Sequence, residues 1–210
     1  MSQVPLRFAP ETTRPGVALL GGTFDPPHRA HLMLARTALE GLRLDRVWLL
    51  PAARNPLKPD SPGASTELRA ALVAAAVQDE PGLGWLDWDL ARPGPSYAID
   101  TARRFAETWP EHRRYWILGA DALASLPQWR EVGSLVHALD FAVFARPGHP
   151  LQVPELPGLR LHCIPAPELE ISSSALRTRL AAGLPVDNAV PAGVHTLLEQ
   201  HQPYHPRTHE

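Results

Sequence analysis

Eleven consecutive residues, Gly21-Gly22-Thr23-Phe24-Asp25-Pro26-Pro27-His28-Arg29-Ala30-His31, have the types and spacing to grip an anion. The glycines let backbone approach a phosphate with no Cβ in the way. They come after the apolar run Val17–Leu20 and before Leu32-Met33-Leu34-Ala35, an order of strand, turn and helix. The first turn of such a helix has unpaired N–H groups aimed at the same place. His28 and His31 stand at i and i+3, so they share one face at a helical start. Imidazole donates hydrogen bonds to phosphate oxygens and can gain charge near neutral pH. The expected result is a pocket for the phosphates of a nucleotide. It is a distinct kind of pocket: no G-x-x-x-x-G-K-[ST] occurs in the chain, and the stretch is not G-x-G-x-x-G. Read without its neighbours, Gly21-Gly22 would be only a tight turn beside two surface histidines.

Four other segments carry candidate chemistry. Lys58, in the proline-stiffened run Asn55-Pro56-Leu57-Lys58-Pro59 after a strand, is a point charge able to reach a phosphate, with Arg54 as the alternative. In Pro95-Ser96-Tyr97-Ala98-Ile99-Asp100-Thr101, Ser96 suits a helix cap and Tyr97 a flat ring partner. In Ile117-Leu118-Gly119-Ala120-Asp121, Gly119 permits close ligand approach, and Asp121 can accept from a sugar hydroxyl or cap the next turn. Trp129 offers an indole face for stacking, or simple core packing. In Ile171-Ser172-Ser173-Ser174-Ala175-Leu176-Arg177, hydroxyls and helix N–H groups suit an anion, with Arg177 one turn further on. Capping accounts for one serine but less well for three serines and an arginine.

Positioning these residues requires a layered scaffold. Val17–Leu20, Val47–Leu50, Trp85–Trp88, Trp116–Leu118, Phe141–Phe144 and Leu159–Ile164 read as strands. Leu32–Leu42, Glu67–Gln78, Tyr97–Thr108 and Glu131–Ala138 have helical apolar spacing, with Thr66 and Ser96 as expected caps. Alternation of strand and helix predicts an α/β, Rossmann-like fold: a parallel sheet with helices on both faces. Ligands of such sheets lie beyond the strand carboxyl ends, where strand order reverses. The Gly21–His31 turn would sit at one such end. After Pro165 only helices are expected, Ser174–Ala182 and Val190–Gln200. The chain thus divides into an N-terminal extension (1–15), a single domain (16–200, with 165–200 a helical subregion) and a tail (201–210). The tail is His-rich; its prolines favour an exposed terminus over a fixed metal site.

Bulk composition narrows the classes. The chain has 210 residues, 44% hydrophobic and 20% charged, within the range of one large globular domain. A net charge of −2 argues against a broad nucleic-acid footprint, so no nucleic-acid partner is expected. No apolar run reaches the length of a membrane span, and residues 1–14 have no signal-peptide core, so a cytoplasmic address is the default expectation. The single cysteine, Cys163, falls in an expected buried strand and reads as an inert packed thiol.

Five of these segments together resemble one family. G-G-T-F-D-P-x-H-x-x-H is similar to the (H/T)-x-G-H signature of the nucleotidylyltransferase superfamily, in the variant of bacterial nicotinate-nucleotide adenylyltransferases. Ala30 stands where the family usually has Gly, and Ala98 where P-S-Y-T-I-D-T has Thr. The matches run in family order over roughly residues 17–200. The resemblance implies adenylyl transfer from ATP to nicotinate mononucleotide. It assigns Gly21, Gly22, Thr23, Phe24, His28, His31, Asp121, Ile171, Ser172, Ser173 and Arg177 to ATP. Lys58, Tyr97, Gly119, Ala120, Asp121 and Trp129 fall to the acceptor, with Trp129 against the pyridine ring. His28, His31, Lys58 and Arg177 are the implied catalytic groups. Arg146 matches an A-R-P-G turn of structural character.

That chemistry fits the residue inventory. The acceptor phosphate arrives ionised, so the reaction needs alignment and charge stabilisation rather than a strong base or a covalent nucleophile. No Ser/His/Asp motif, HExxH or zinc-type Cys/His spacing is present. Mg²⁺ is expected on the β- and γ-phosphates of ATP without a dedicated protein cage. Two other readings stay open. One keeps the fold with another acceptor, such as nicotinamide mononucleotide, phosphopantetheine or glycerol phosphate. The other is a non-catalytic nucleotide-binding sensor.

Overall fold

A computed structural model describes residues 6–7, 14–54, 63–92, 94–145, 151–166 and 171–205. Seven strands form one sheet: β1 (Leu6–Arg7), β2 (Gly16–Gly22), β3 (Arg46–Pro51), β4 (Leu83–Trp85), β5 (Arg113–Leu118), β6 (Asp140–Ala145) and β7 (Leu161–Pro165). Their order is β1-β7-β6-β5-β2-β3-β4, and every neighbouring pair is parallel. From β2 the chain moves outward through β3 and β4. It then returns to the other side of β2 with β5 and continues through β6 and β7. Strand order therefore reverses between β2 and β5, and their carboxyl ends, Gly21-Gly22 and Leu118-Gly119, face a common crevice.

Among the described residues seven helices cover the sheet: α1 (Arg29–Gly41), α2 (Thr66–Val77), α3 (Ala98–Thr108), α4 (Ala120–Ser125), α5 (Val132–Ala138), α6 (Ser173–Ala181) and α7 (Ala192–His201). The two-residue period of the strands divides the core. Ala18 and Leu20 pack with buried residues of α1, α2, α6 and α7, including Leu32, Leu72, Leu176 and Val194. Val17 and Leu19 face the other way, onto Ile99 and Phe105 of α3, Leu123 of α4 and Leu135 of α5. Strands buried on both faces must be apolar throughout, which is why they appear as unbroken apolar runs in the sequence.

Several expectations shift. The strand expected at Trp85–Trp88 lies at Leu83–Trp85. Gly82, at φ +75°, turns the chain into it, and its third residue ends the ladder with β3, leaving Trp88 buried in the following turn. α4 and the 3₁₀ turn Leu126–Gln128 were not anticipated, because six residues are too few to reveal a helical period. Leu6–Arg7, inside the expected N-terminal extension, pairs with Leu161 and His162 at the sheet edge. Arg146 lies outside the described residues. Cys163 is buried, and desolvation raises its thiol pKa, in keeping with an inert packed thiol. Among the described residues no helix is long and apolar enough to cross a membrane.

Both expected caps move by one residue. The N-cap of α2 is Ser65, whose Oγ accepts from the Leu68 N–H at 3.2 Å. The Ser96 hydroxyl is instead used across the crevice, accepting from the Ala53 N–H at 3.0 Å, and Tyr97 occupies the N-cap of α3. Replacing Ser65 with Ala should therefore cost about 1 kcal/mol in urea unfolding, while Thr66→Ala should cost little. Equal losses at the two positions would contradict the assigned cap.

Candidate active site

The crevice at the β2–β5 reversal is a cleft of about 730 Å³. One wall is the end of β2, Gly21-Gly22-Thr23; the other holds Tyr97, Gly119, Asp121 and Trp129. Four of the expected acceptor residues thus line a single cavity. Trp129 is half-buried, donates its indole N–H to Ser125 Oγ at 3.4 Å, and meets Trp116 edge-on at 5.9 Å. The Trp129 ring packs on the core and also lines the cleft. The N-cap of α4 is Gly119, so Asp121 is not the cap. It lies exposed in the first turn, at the cleft. A Cβ on Gly119 would meet no atom within 4 Å, so the open space there is available to a ligand.

Beside the cleft, the turn from Thr23 to His28 folds back on itself. Phe24 takes φ +50° and is buried, with its ring against Gly22. A Cβ on Gly22 would come within 3.1 Å of that ring, so a larger residue there would press on Phe24. His28 is the N-cap of α1, and its ring stacks on that of His31 with centroids 3.7 Å apart and planes 23° apart. Phe24 meets His31 edge-on at 4.8 Å.

Burial decides the charge of this pair. Desolvation lowers the His28 pKa from 6.5 to about 4. Desolvation and the neighbouring His28 hold His31 well below its ordinary value. Both rings are therefore neutral at pH 7, not partly cationic as the sequence suggested. The His28 N–H donates to His31 Nδ1 at 3.2 Å. A nitrogen that accepts carries no proton, so neutral His31 is protonated on Nε2, its remaining donor.

Positive charge enters from behind the turn. Arg177 Nη1 donates to the Asp25 carbonyl at 2.9 Å, and Ser173 Oγ donates to the Pro26 carbonyl at 2.9 Å. Ser172 caps α6, accepting from the Ala175 N–H, and Ser174 accepts from Arg177 Nη2. Ile171 packs against the core beside them. Of the expected phosphate-binding groups, Ser173 and Arg177 are thus engaged in holding the turn, while Ser172 is used as the cap of α6. Lys58 lies outside the described residues, and the Arg54 side chain is exposed.

Several contributors escaped the sequence reading. Arg69 of α2 is 1% exposed and donates to the carbonyls of Thr23, Ala52 and Ala53 at 3.0, 2.6 and 3.1 Å. It sews the end of β2 to the end of β3, and burial lowers its pKa. A lone arginine in an apolar helical run was the available signal. Asp25 is also buried, its carboxylate accepting from the Gly63 and Ala64 N–H groups and from the Tyr204 hydroxyl. On the cleft wall, buried Asp89 accepts from Thr101 Oγ1 and Arg92 Nη2, both at 2.7 Å. Arg130 places its guanidinium 4.8 Å from the Tyr97 ring centroid. Among the described residues no group of three His, Cys, Asp or Glu side chains is placed to hold a metal.

The profile of the cytidylyltransferase-like family matches residues 19–179. A relative from Opitutus terrae, described as a probable nicotinate-nucleotide adenylyltransferase, is 41% identical over 191 residues, spanning 90% of this chain and 98% of the relative. One from Exiguobacterium sibiricum, with the same description, is 40% identical, spanning 88% and 96%. The solved nicotinic acid mononucleotide adenylyltransferase of Plasmodium falciparum, complexed with NaAD, shares the fold with a TM-score of 0.71 at 19% identity, covering 90% of this chain and 97% of that one.

The neutral burial of His28 has a pH consequence. Unfolded, its imidazole takes a proton near pH 6.5; folded, it does so only near pH 4. Between these values the unfolded state binds more protons, so stability is full above pH 6.5 and falls as the pH drops. The loss reaches about 3 kcal/mol for this residue. Urea unfolding from pH 7.5 to 4.5 should show the decline, and His28→Asn should flatten it. An unchanged slope in that variant would remove His28 as the cause.

Proposed function

The chain belongs to the cytidylyltransferase-like family and, within it, to the nicotinate-nucleotide adenylyltransferases; from that premise we propose how it moves AMP from ATP to nicotinate mononucleotide. The products are deamido-NAD and pyrophosphate, a step in NAD biosynthesis. The observation that carries the reading is the cleft at the β2–β5 reversal. It has Gly21, Gly22 and Thr23, which lead into the histidine turn, on one side and two aromatic residues, Tyr97 and Trp129, on the other; His28 and His31 stand next to it and outside its lining.

The acceptor phosphate oxygen attacks the α-phosphorus of ATP. The bond from that phosphorus to the bridging oxygen breaks, and pyrophosphate leaves with the electron pair. Because the nucleophile is already an anion, no base is required. The protein's task is alignment and stabilisation of charge on the leaving group. Gly21, Gly22, Thr23 and Phe24 give the backbone path along the nucleotide, and Asp121 suits a hydroxyl or amino group at the cleft. His28 and His31 supply neutral hydrogen-bond donors at the start of α1, where the helix N-terminus adds partial positive charge. Ile171, Ser172, Ser173 and Arg177 form the other side of the phosphate site, and Arg177 brings formal charge to the turn. Lys58 is assigned to the acceptor phosphate. Tyr97, Trp129 and the N–H groups of Gly119 and Ala120 form the pyridine subsite. Mg²⁺ comes in with ATP, on its β- and γ-phosphates, as part of the substrate.

Purified protein with ATP and Mg²⁺ should release pyrophosphate with nicotinate mononucleotide, at higher kcat/KM than with nicotinamide mononucleotide or phosphopantetheine. Release with none of the three would overturn the reading, and a preference for another would reassign the acceptor. His31→Ala should lower kcat by a factor on the order of 10² to 10³, the usual loss when a donor to developing charge is removed. Circular dichroism should stay unchanged. Near-normal turnover would take His31 out of the mechanism.

A further inference from the structure

The tail expected to be exposed carries a residue that reaches the nucleotide turn. α7 ends at His201; Gln202 then adopts φ +42° and Pro203 prevents the helix from continuing. This reversal brings Tyr204 back against the domain. Its ring packs on the core cluster shared by α2 and α7, and its hydroxyl donates to Asp25 Oδ1 at 2.7 Å. Burial and the bond to Asp25 both raise the Tyr204 pKa, so the hydroxyl keeps its proton throughout the working range.

A ring packed on the core would suffice to hold a chain terminus. The hydroxyl does something the ring cannot: it completes the coordination of a buried carboxylate. Among the described residues Asp25 Oδ1 otherwise accepts only from the Ala64 N–H at 3.0 Å, while Oδ2 accepts from Gly63 N–H at 2.7 Å and lies 3.8 Å from Arg177 Nη1. Asp25 is also three residues from His28, and the two between them are Pro26 and Pro27. Proline fixes φ, so this connection has little freedom to absorb a displacement. A shift of Asp25 is passed along the backbone to the histidines.

We propose that Tyr204 is a positioning residue of the nucleotide site: through its hydroxyl bond to Asp25 it sets the Asp25–His28 segment for ATP, and neither Tyr204 nor that segment lines the acceptor cleft. This rests on the reading of that turn as the ATP phosphate site. A second residue, itself a backbone donor to the Asp25 carboxylate, gives access to the same bond from beneath the ring. Gly63 lies beneath the Tyr204 ring, where an added Cβ would stand 3.1 Å from two ring carbons. Its backbone has no positive φ, so alanine there presses on the ring without straining the chain.

The test compares full-length wild type, Tyr204→Phe and Gly63→Ala. ATP affinity is read by calorimetry, KM is measured separately for ATP and nicotinate mononucleotide, and the melting temperature is recorded. Tyr204→Phe should weaken ATP binding and raise KM for ATP about ten- to a hundred-fold, as loss of one hydrogen bond to a charged group does. KM for nicotinate mononucleotide should stay within about twofold. Gly63→Ala should shift the same parameter in the same direction by less. A lower melting temperature with unchanged ATP parameters would show a purely structural tyrosine and overturn the proposal. So would an equal rise in both KM values. If wild type binds ATP and releases pyrophosphate, such a result defeats this inference alone; wild type that binds no ATP defeats the functional reading as well.

Discussion

The site is organised around one buried anion. The Asp25 carboxylate is 3% exposed, and removing such a group from water costs several kcal/mol unless its oxygens are satisfied. Here the oxygens are met by two backbone N–H groups, a phenolic hydroxyl and a nearby guanidinium. Each partner comes from a different region: residues 63–64 before α2, Arg177 in α6 and Tyr204 after α7. The condition that the carboxylate be satisfied therefore forces three remote segments to converge behind the glycine–histidine turn. Arg69 reinforces the convergence from α2 by holding the Thr23 carbonyl. The turn's geometry is set by what stands behind it more than by its own residues.

Such a frame separates two jobs that the sequence made look like one. Formal positive charge belongs to guanidiniums bonded to turn carbonyls. The histidines, stacked and desolvated, are neutral donors. A fully charged pair at 3.7 Å centroid separation would repel itself and would hold the ground-state triphosphate as firmly as the transition state. In the proposed reaction a neutral donor would gain proton affinity as negative charge collects on departing pyrophosphate. Its interaction is thus strongest where the barrier lies. The bond from the His28 N–H to His31 Nδ1 serves the same end, because it commits the proton to Nε2 before substrate arrives.

What was legible in the sequence was whatever is local. Two-sided burial makes β2, β3, β5, β6 and β7 continuous apolar runs, and α1, α2 and α3 carry their period over three turns. The glycine turn and the aromatic residues of the cleft were found because their neighbours are sequential. Errors arose where local signals compete. Ser65 and Thr66 are equally good caps by type, and only the Leu68 N–H distinguishes them. Ser96 found a partner at Ala53, across the crevice, that no local rule anticipates. The charge state of His28 and His31 could not be read at all, since desolvation depends on what covers the rings. Arg69 and Tyr204 were hidden for a related reason. The partners of Arg69 lie 16, 17 and 46 residues away and that of Tyr204 lies 179 away, so neither shows a motif.

That separation bears on how the site can come into being. The Ser173–Pro26, Arg177–Asp25 and Tyr204–Asp25 bonds span 147, 152 and 179 residues. Loop closure costs grow only logarithmically with length, so such spans are affordable once, but not contact by contact. They are made together because α6 and α7 are already required to cover the apolar face formed by Ala18, Leu20 and their neighbours. Burying Leu176, Val194 and Leu198 brings Arg177 and Tyr204 to the turn at little additional entropic cost. The helical subregion therefore has no separable stabilising and functional parts. The apolar side of each helix closes the core, and the residues at its ends fix the phosphate turn. A chain lacking that subregion would keep the Gly21–His31 motif in its sequence without the backbone geometry that makes it a site.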